Sequence, residues 1–168
     1  MKNLCIIVFF FAANLIIAQH SPGCSSQSYA LMDYWVGDWN VYENDELVGT
    51  NSIEKIVDGC AVLENWKSKF GQPGLSLFYI DNKTKTWKQI WVTGQSNKPW
   101  GQKEKSLIYH KKDSLLIFQG SYVVKQENYL DRTLLLKQSD TEVLQTIQIS
   151  KDGGLTWETT FNAFYKRK

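Results

Sequence analysis

The chain has 168 residues, 43% of them hydrophobic and 21% charged, enough for one well-packed domain and short for two. That composition excludes collagen-like, disordered and coiled-coil classes, and 19 Lys and Arg against 17 Asp and Glu leave a net charge of only +2, too little to grip a phosphate backbone. Nucleic acid is therefore not an expected partner.

The N-terminus reads as an address rather than as structure. Lys2 supplies a positive start, and Leu4 to Ile17 is an apolar run broken only by Asn14, the layout of a signal peptide and too short to span a bilayer comfortably. Residues 1–19 are expected to be a signal peptide cut near Ala18 or Gln19, which makes the protein exported, periplasmic or secreted, with no transmembrane span in its mature form. The alternatives are a retained N-terminal anchor and, with a poor lipobox before Cys24, a lipoprotein. Removal of the leader takes Cys5 with it and leaves Cys24 and Cys60, 36 residues apart. An even pair in an oxidising compartment favours a disulfide, two free thiols being the alternative. Two Cys and two His without paired spacing do not assemble a metal site, so no metal and no cofactor are expected.

Residues 20–168 form one domain, without internal repeat or linker. Tyr29 to Tyr34 reads as a short helical turn plugging one end. Beyond it, turn residues recur roughly every 8–12 positions with β-branched and aromatic runs between them. The strand candidates are Asp38 to Tyr42, Val48 to Ile56, Ala61 to Ser68, Gly74 to Ile80, Trp87 to Thr93, Trp100 to Tyr109, Leu115 to Val124, Tyr129 to Gln138, Glu142 to Ser150 and Thr156 to Tyr165. Short loops and the lack of helical crossovers predict an all-β fold, a single antiparallel up-and-down barrel of about eight to ten strands, of the lipocalin and fatty-acid-binding-protein type.

Alternation along a strand decides which side chains look inward. With Lys88 and Lys67 taken as outward, Trp87, Gln89 and Trp91 share the inner face with Glu64 and Trp66. Ser76 and Phe78 on the strand between them complete a ladder of indoles with sparse polar groups, the composition of a ligand pocket. The competing reading is a dry core in which Gln89 and Glu64 are simply hydrogen-bonded. An apolar cavity of ~300 Å³ or more would favour a ligand over a filled core.

Two further strings carry structural expectations. Gly37-Asp38-Trp39 resembles the G-x-W that opens the first strand of lipocalins, a resemblance that implies an indole closing the barrel base with a late basic residue, Arg167 or Lys166, over it. Ser150 to Trp157 reads S-x-D-x-G-x-T-W, the Asp-box of sialidase propellers. A single copy cannot build a propeller, so it predicts a turn in which Asp152 bonds nearby backbone, Gly153 or Gly154 takes positive φ and Trp157 packs beneath.

Asp33-Tyr34-Trp35-Val36-Gly37-Asp38-Trp39 resembles the opening block of an uncharacterised family of exported bacterial domains related in shape to lipocalins. Asp58-Gly59-Cys60, Glu64-Asn65-Trp66, Gly74-Leu75-Ser76, Trp87 to Val92 and Ser150 to Trp157 resemble its later blocks in order, from about Cys24 to Tyr165. The resemblance implies a lipocalin-like barrel and adds to the Cys24–Cys60 pairing. It carries no activity, and Phe78, Ile80, Thr93 and the stretch from Gln95 to Asn128 depart from its pattern.

Catalytic motifs are thin. His20 and His110 are not placed as a base, and Lys103-Glu104-Lys105 reads as a solvated strand edge. The expected function is binding of one apolar or amphipathic small molecule through Glu64, Trp66, Ser76, Phe78, Trp87, Gln89 and Trp91. A filled structural or interaction barrel is the alternative, and a hydrolase using Glu64 comes third.

Overall fold

The computed structural model describes residues 23–112 and 114–168. The expected leader, Cys5 and His20 lie outside the described residues, as does Asp113. Ten antiparallel strands follow one another around a closed barrel: β1 (Gly37–Glu43), β2 (Glu46–Ile56), β3 (Ala61–Ser68), β4 (Pro73–Asp81), β5 (Thr86–Thr93), β6 (Gln102–Lys111), β7 (Leu115–Val124), β8 (Glu127–Lys137), β9 (Glu142–Ser150) and β10 (Glu158–Arg167). Each strand pairs with its sequence neighbours, and β1 pairs with β10 to close the ring, leaving no free edge for another chain to extend. Among the described residues no helix is long and apolar enough to cross a membrane.

The tight turns follow from backbone chemistry. Asn44 and Asp45 both take positive φ between β1 and β2, the conformation that matches the twist of a two-residue hairpin. Lys125 and Gln126 do the same between β7 and β8, although neither residue type advertises it. Packing of the flanking strands imposes that turn.

The last strand begins later than expected because Thr156 is held in the preceding turn. There the Thr156 backbone N–H and hydroxyl donate to the Asp152 carboxylate at 2.9 and 2.6 Å, and the Gly154 N–H donates to Ser150 Oγ at 2.8 Å. Gly153 and Gly154 take positive φ, the Trp157 indole N–H donates to the Gly154 carbonyl at 3.0 Å, and the Arg132 guanidinium covers the ring at 3.8 Å. Hydrogen bonds from the Thr156 hydroxyl and N–H, the Ser150 hydroxyl and the Leu155 N–H hold the Asp152 carboxyl well below its usual range.

One end of the barrel is filled. The expected single turn at its N-terminal approach is two 3-10 turns, Gln27–Ala30 and Asp33–Trp35, which insert Met32 and Trp35 beneath the strands. Trp35 stacks on Trp39 and lies 4.7 Å from the Tyr165 ring. The Trp39 N–H donates to the Trp35 carbonyl at 3.0 Å, while Arg167, paired opposite Trp39, lays its guanidinium over the indole at 4.4 Å and donates to the Val36 carbonyl at 3.0 Å. Gly37 is required here: at φ +142° a Cβ would lie 2.1 Å from the Arg167 guanidinium. Lys166, the other candidate, sits over Tyr42 instead.

Cys24 and Cys60 form a disulfide that ties the chain ahead of the 3-10 turns to the β2–β3 turn. Cys24→Ser with Cys60→Ser is expected to lower stability by up to ~4 kcal/mol through the released 36-residue loop. Urea unfolding with and without reductant checks this; an unchanged midpoint would mean that the N-terminal turns dock without the tether.

Candidate functional site

The other half of the barrel is hollow. Every inward position there follows the strand alternation, and the side chains fall into a polar belt at mid-height with an aromatic wall above it. The belt begins at Asn51, whose amide donates to Glu64 Oε1 at 2.6 Å. Glu64 lies opposite Ser76 on β4 and is hydrogen-bonded by it, and Gln89 on β5 donates to Ser76 Oγ at 3.1 Å. Gln89 stands opposite Lys105 on β6, and Lys105 Nζ donates to Thr133 Oγ1 on β8 at 2.7 Å. The belt closes with Gln145, which accepts from the Tyr165 hydroxyl at 2.7 Å.

Within that belt lies a buried ion cluster. Lys103 and Lys105, successive inward residues of β6, both pair with the carboxylate of Asp131. Asp131 is 1% exposed and Lys105 4%, so the pairing happens where neither charge keeps its water. The reading of Lys103-Glu104-Lys105 as a solvated edge is corrected here: only Glu104 points out, because alternation from inward Leu107 carries Lys105 and Lys103 onto the inner face. Asp131 reaches them across Gly120, which is paired with it on one side and with Lys105 on the other. With no side chain at 120, nothing stands between the lysine and the acid.

The aromatic wall depends on two other glycines. Trp66 lies across Gly49, where a Cβ would meet the ring tip at 2.4 Å, and Trp91 lies across Gly74, where a Cβ would meet it at 2.3 Å. Each indole is thereby laid back against the barrel instead of filling its centre. Phe161 meets Trp66 edge-on with ring centroids 6.4 Å apart, and Ile147 beside it completes the wall.

The space is a partly open cavity of about 210 Å³, bounded by the wall, by Glu64, Gln89, Lys103, Lys105, Thr133 and Gln145 of the belt, and by Tyr165. It is smaller than the ~300 Å³ at which drug-sized ligand sites begin. An apolar cavity of ~150 Å³ already takes benzene, so this one is sized for a single ring with a short substituent. Of the expected ladder, Glu64, Trp66, Gln89 and Trp91 line the cavity. Ser76 is fully buried behind it as the bridge between Gln89 and Glu64. Phe78 and Trp87 lie in the filled half: Phe78 packs edge-on against Phe118 at 5.4 Å, and the Trp87 N–H donates to the Ser28 carbonyl at 3.0 Å, anchoring the first 3-10 turn. Sequence reasoning missed Lys103, Lys105, Thr133, Gln145, Ile147, Phe161 and Tyr165. The first two were legible from alternation; the others sit on strands whose two faces are both apolar or both mixed.

Burial governs the chemistry of the belt. It pushes the Glu64 carboxyl up despite hydrogen bonds from Ser76 and Asn51 and the Lys105 charge, which favours a neutral, proton-donating acid. It pushes Lys105 down to about 8, against the pull of Asp131. It raises the Tyr165 hydroxyl well above its ordinary value, with Glu64 adding to the effect. Gln89 lines the cavity, and its buried Oε1 finds no hydrogen-bond partner among the described residues. Among those residues no group of three or more His, Cys, Asp or Glu is arranged to hold a metal ion. His110 lies exposed at the far end, beside a groove against the 3-10 turns.

No protein-family model matches the chain, and no curated protein matches it either.

Proposed function

We propose that this barrel is an exported binding protein for one small amphipathic molecule held in the hollow half. The observation that carries the reading is the asymmetry of the interior. The filled half is occupied by clustered buried apolar side chains, whereas the other half lays two indoles back against glycines and leaves a space lined by Gln89, whose buried carbonyl oxygen has no partner among the described residues. Buried polar groups are normally satisfied, and an unpaired one costs about 1–3 kcal/mol, so the unfilled acceptor of Gln89 favours a ligand that brings a donor. Walls of Trp66, Trp91, Phe161 and Ile147 supply the apolar area and the belt supplies sparse anchors. Export is supported by the Cys24–Cys60 disulfide, a bond typical of oxidising compartments, and by the signal-like leader. The resemblance to exported, lipocalin-shaped domains points the same way.

Native mass spectrometry of protein purified from its own host is the direct test. The expected result is a co-purified small molecule in wild type and its loss in Gly74→Ala, where the new methyl drives the Trp91 ring into the cavity. Gln89→Leu, close in size, is expected to fold and to retain less of the molecule. Wild-type protein that is empty, with Trp fluorescence unchanged by added ligands, would instead favour the filled structural barrel.

A further inference from the structure

We propose that the cavity takes a monoanion, a carboxylate carried on a single ring or short branched chain, received by the ammonium groups of Lys103 and Lys105. The inference rests on the ligand-binding reading and adds the chemical class of the ligand. Its basis is a charge count on a fixed geometry. Two ammonium groups share one carboxylate, Asp131, and both line the cavity, whereas Asp131 stands behind them.

The other acid facing the space, Glu64, stands on β3, three strands from Lys105, and is a weaker influence on it than Asp131. Its oxygens are engaged by Asn51 and Ser76, and burial favours its neutral form, so it leaves the second lysine uncompensated. Lysine is rarely buried unless paired, and a buried cation without a counter-charge is costly. A ligand carboxylate would supply the missing charge and accept charge-assisted hydrogen bonds from both Nζ atoms. A cationic ligand would meet two positive charges at close range. A wholly apolar one would strip water from the ammonium of Lys103, whose side chain keeps 15% exposure, and return nothing.

The remaining features agree with an acid of this size. The aromatic wall accommodates one ring in about 210 Å³. Gln89, opposite Lys105 on the neighbouring strand, places its free carbonyl oxygen where a hydroxyl or amino substituent beside the carboxylate would find an acceptor.

The test compares phenylacetate with phenylacetamide, which share a ring and a shape and differ in charge, by isothermal titration calorimetry on the intact protein. Phenylacetate is expected to bind roughly tenfold or more tightly than the amide, the size of a charge-assisted hydrogen bond. Lys105→Met is expected to bring the two within about threefold of each other by removing that bond. Lys103→Met, at the partly open edge of the cluster, is expected to do the same and serves if the buried substitution prevents folding. Amide and carboxylate binding equally well to wild type would overturn the anion inference and leave the binding reading standing. Binding of neither would overturn both. Equal loss of both ligands in a folded lysine variant would make the lysines structural and overturn the inference as well.

Discussion

Asp131→Asn is expected to destabilise the protein by about 3–5 kcal/mol at neutral pH, among the largest effects of any single isosteric change, because it leaves the buried Lys105 and the partly buried Lys103 facing each other without a carboxylate. The size of the loss should depend on pH, and the sign can be worked out. Lys105 has a folded pKa of about 8 against an ordinary 10.5, so between those values the unfolded chain holds a proton that the folded one has released. Stability therefore rises with pH across that window. Tyr34 and Tyr165, pushed up by burial, act in the opposite direction from about pH 10 because the unfolded chain loses their protons first. The useful interval is pH 8 to 10.

The charged groups facing Lys105 are Asp131 and Lys103 on one side and Glu64 on the other; Asp131 is the main one holding its proton on. Removing Asp131 drives Lys105 further toward the neutral amine, which still donates to Thr133 and needs no counter-ion. Urea unfolding of wild type and variant should show the deficit shrinking from pH 7 to pH 9.5. A deficit below about 1 kcal/mol, the worth of a surface pair, would show that water reaches the cluster.

Trp39→Ala is expected to cost about 3–5 kcal/mol, the cost of truncating a buried Trp. Trp39 is fully buried, stacked on Trp35, hydrogen-bonded to the Trp35 carbonyl and covered by Arg167, so its loss opens the barrel floor and frees the 3-10 turns together. Arg167→Ala should cost much less, about 1–2 kcal/mol, since it removes a cation from the indole face and a hydrogen bond to Val36 while leaving the ring in place. Chemical denaturation of the single and double variants separates the two. Additive losses would mean that the guanidinium and the indole are not coupled.

The barrel was legible because its signals are local. Alternation along β3 and β5 put Glu64, Trp66, Gln89 and Trp91 on one face, and the ranges of β3, β7 and β9 follow directly from turn residues on either side. The β7–β8 turn was not legible, since Lys125 and Gln126 take positive φ only under the twist of the strands they join. Lys103 and Lys105 were misjudged for a different reason. A lysine on a strand is nearly always solvated, and the residue that licenses its burial, Asp131, is 28 and 26 positions away.

The sequence by itself determined an all-β chain of about ten strands and an Asp-centred turn at Ser150 to Trp157, because each depends on side-chain period or on bonds spanning a few residues; the indole under a late basic residue was implied only by the likeness of Gly37-Asp38-Trp39 to the lipocalin opening, and the pairing of β1 with β10 decided for Arg167 over Lys166. It also brought the seven ladder residues to one interior without saying how far along the barrel each would lie. Only the tertiary structure decided that Phe78 and Trp87 belong to the filled floor and Trp66 and Trp91 to the open half, because position along the axis depends on strand register and tilt, set by the pairing of β1 with β10. It alone decided that Gly49 and Gly74 stand beneath the two indoles and that two lysines meet one aspartate across Gly120, contacts made between strands and invisible along any one of them.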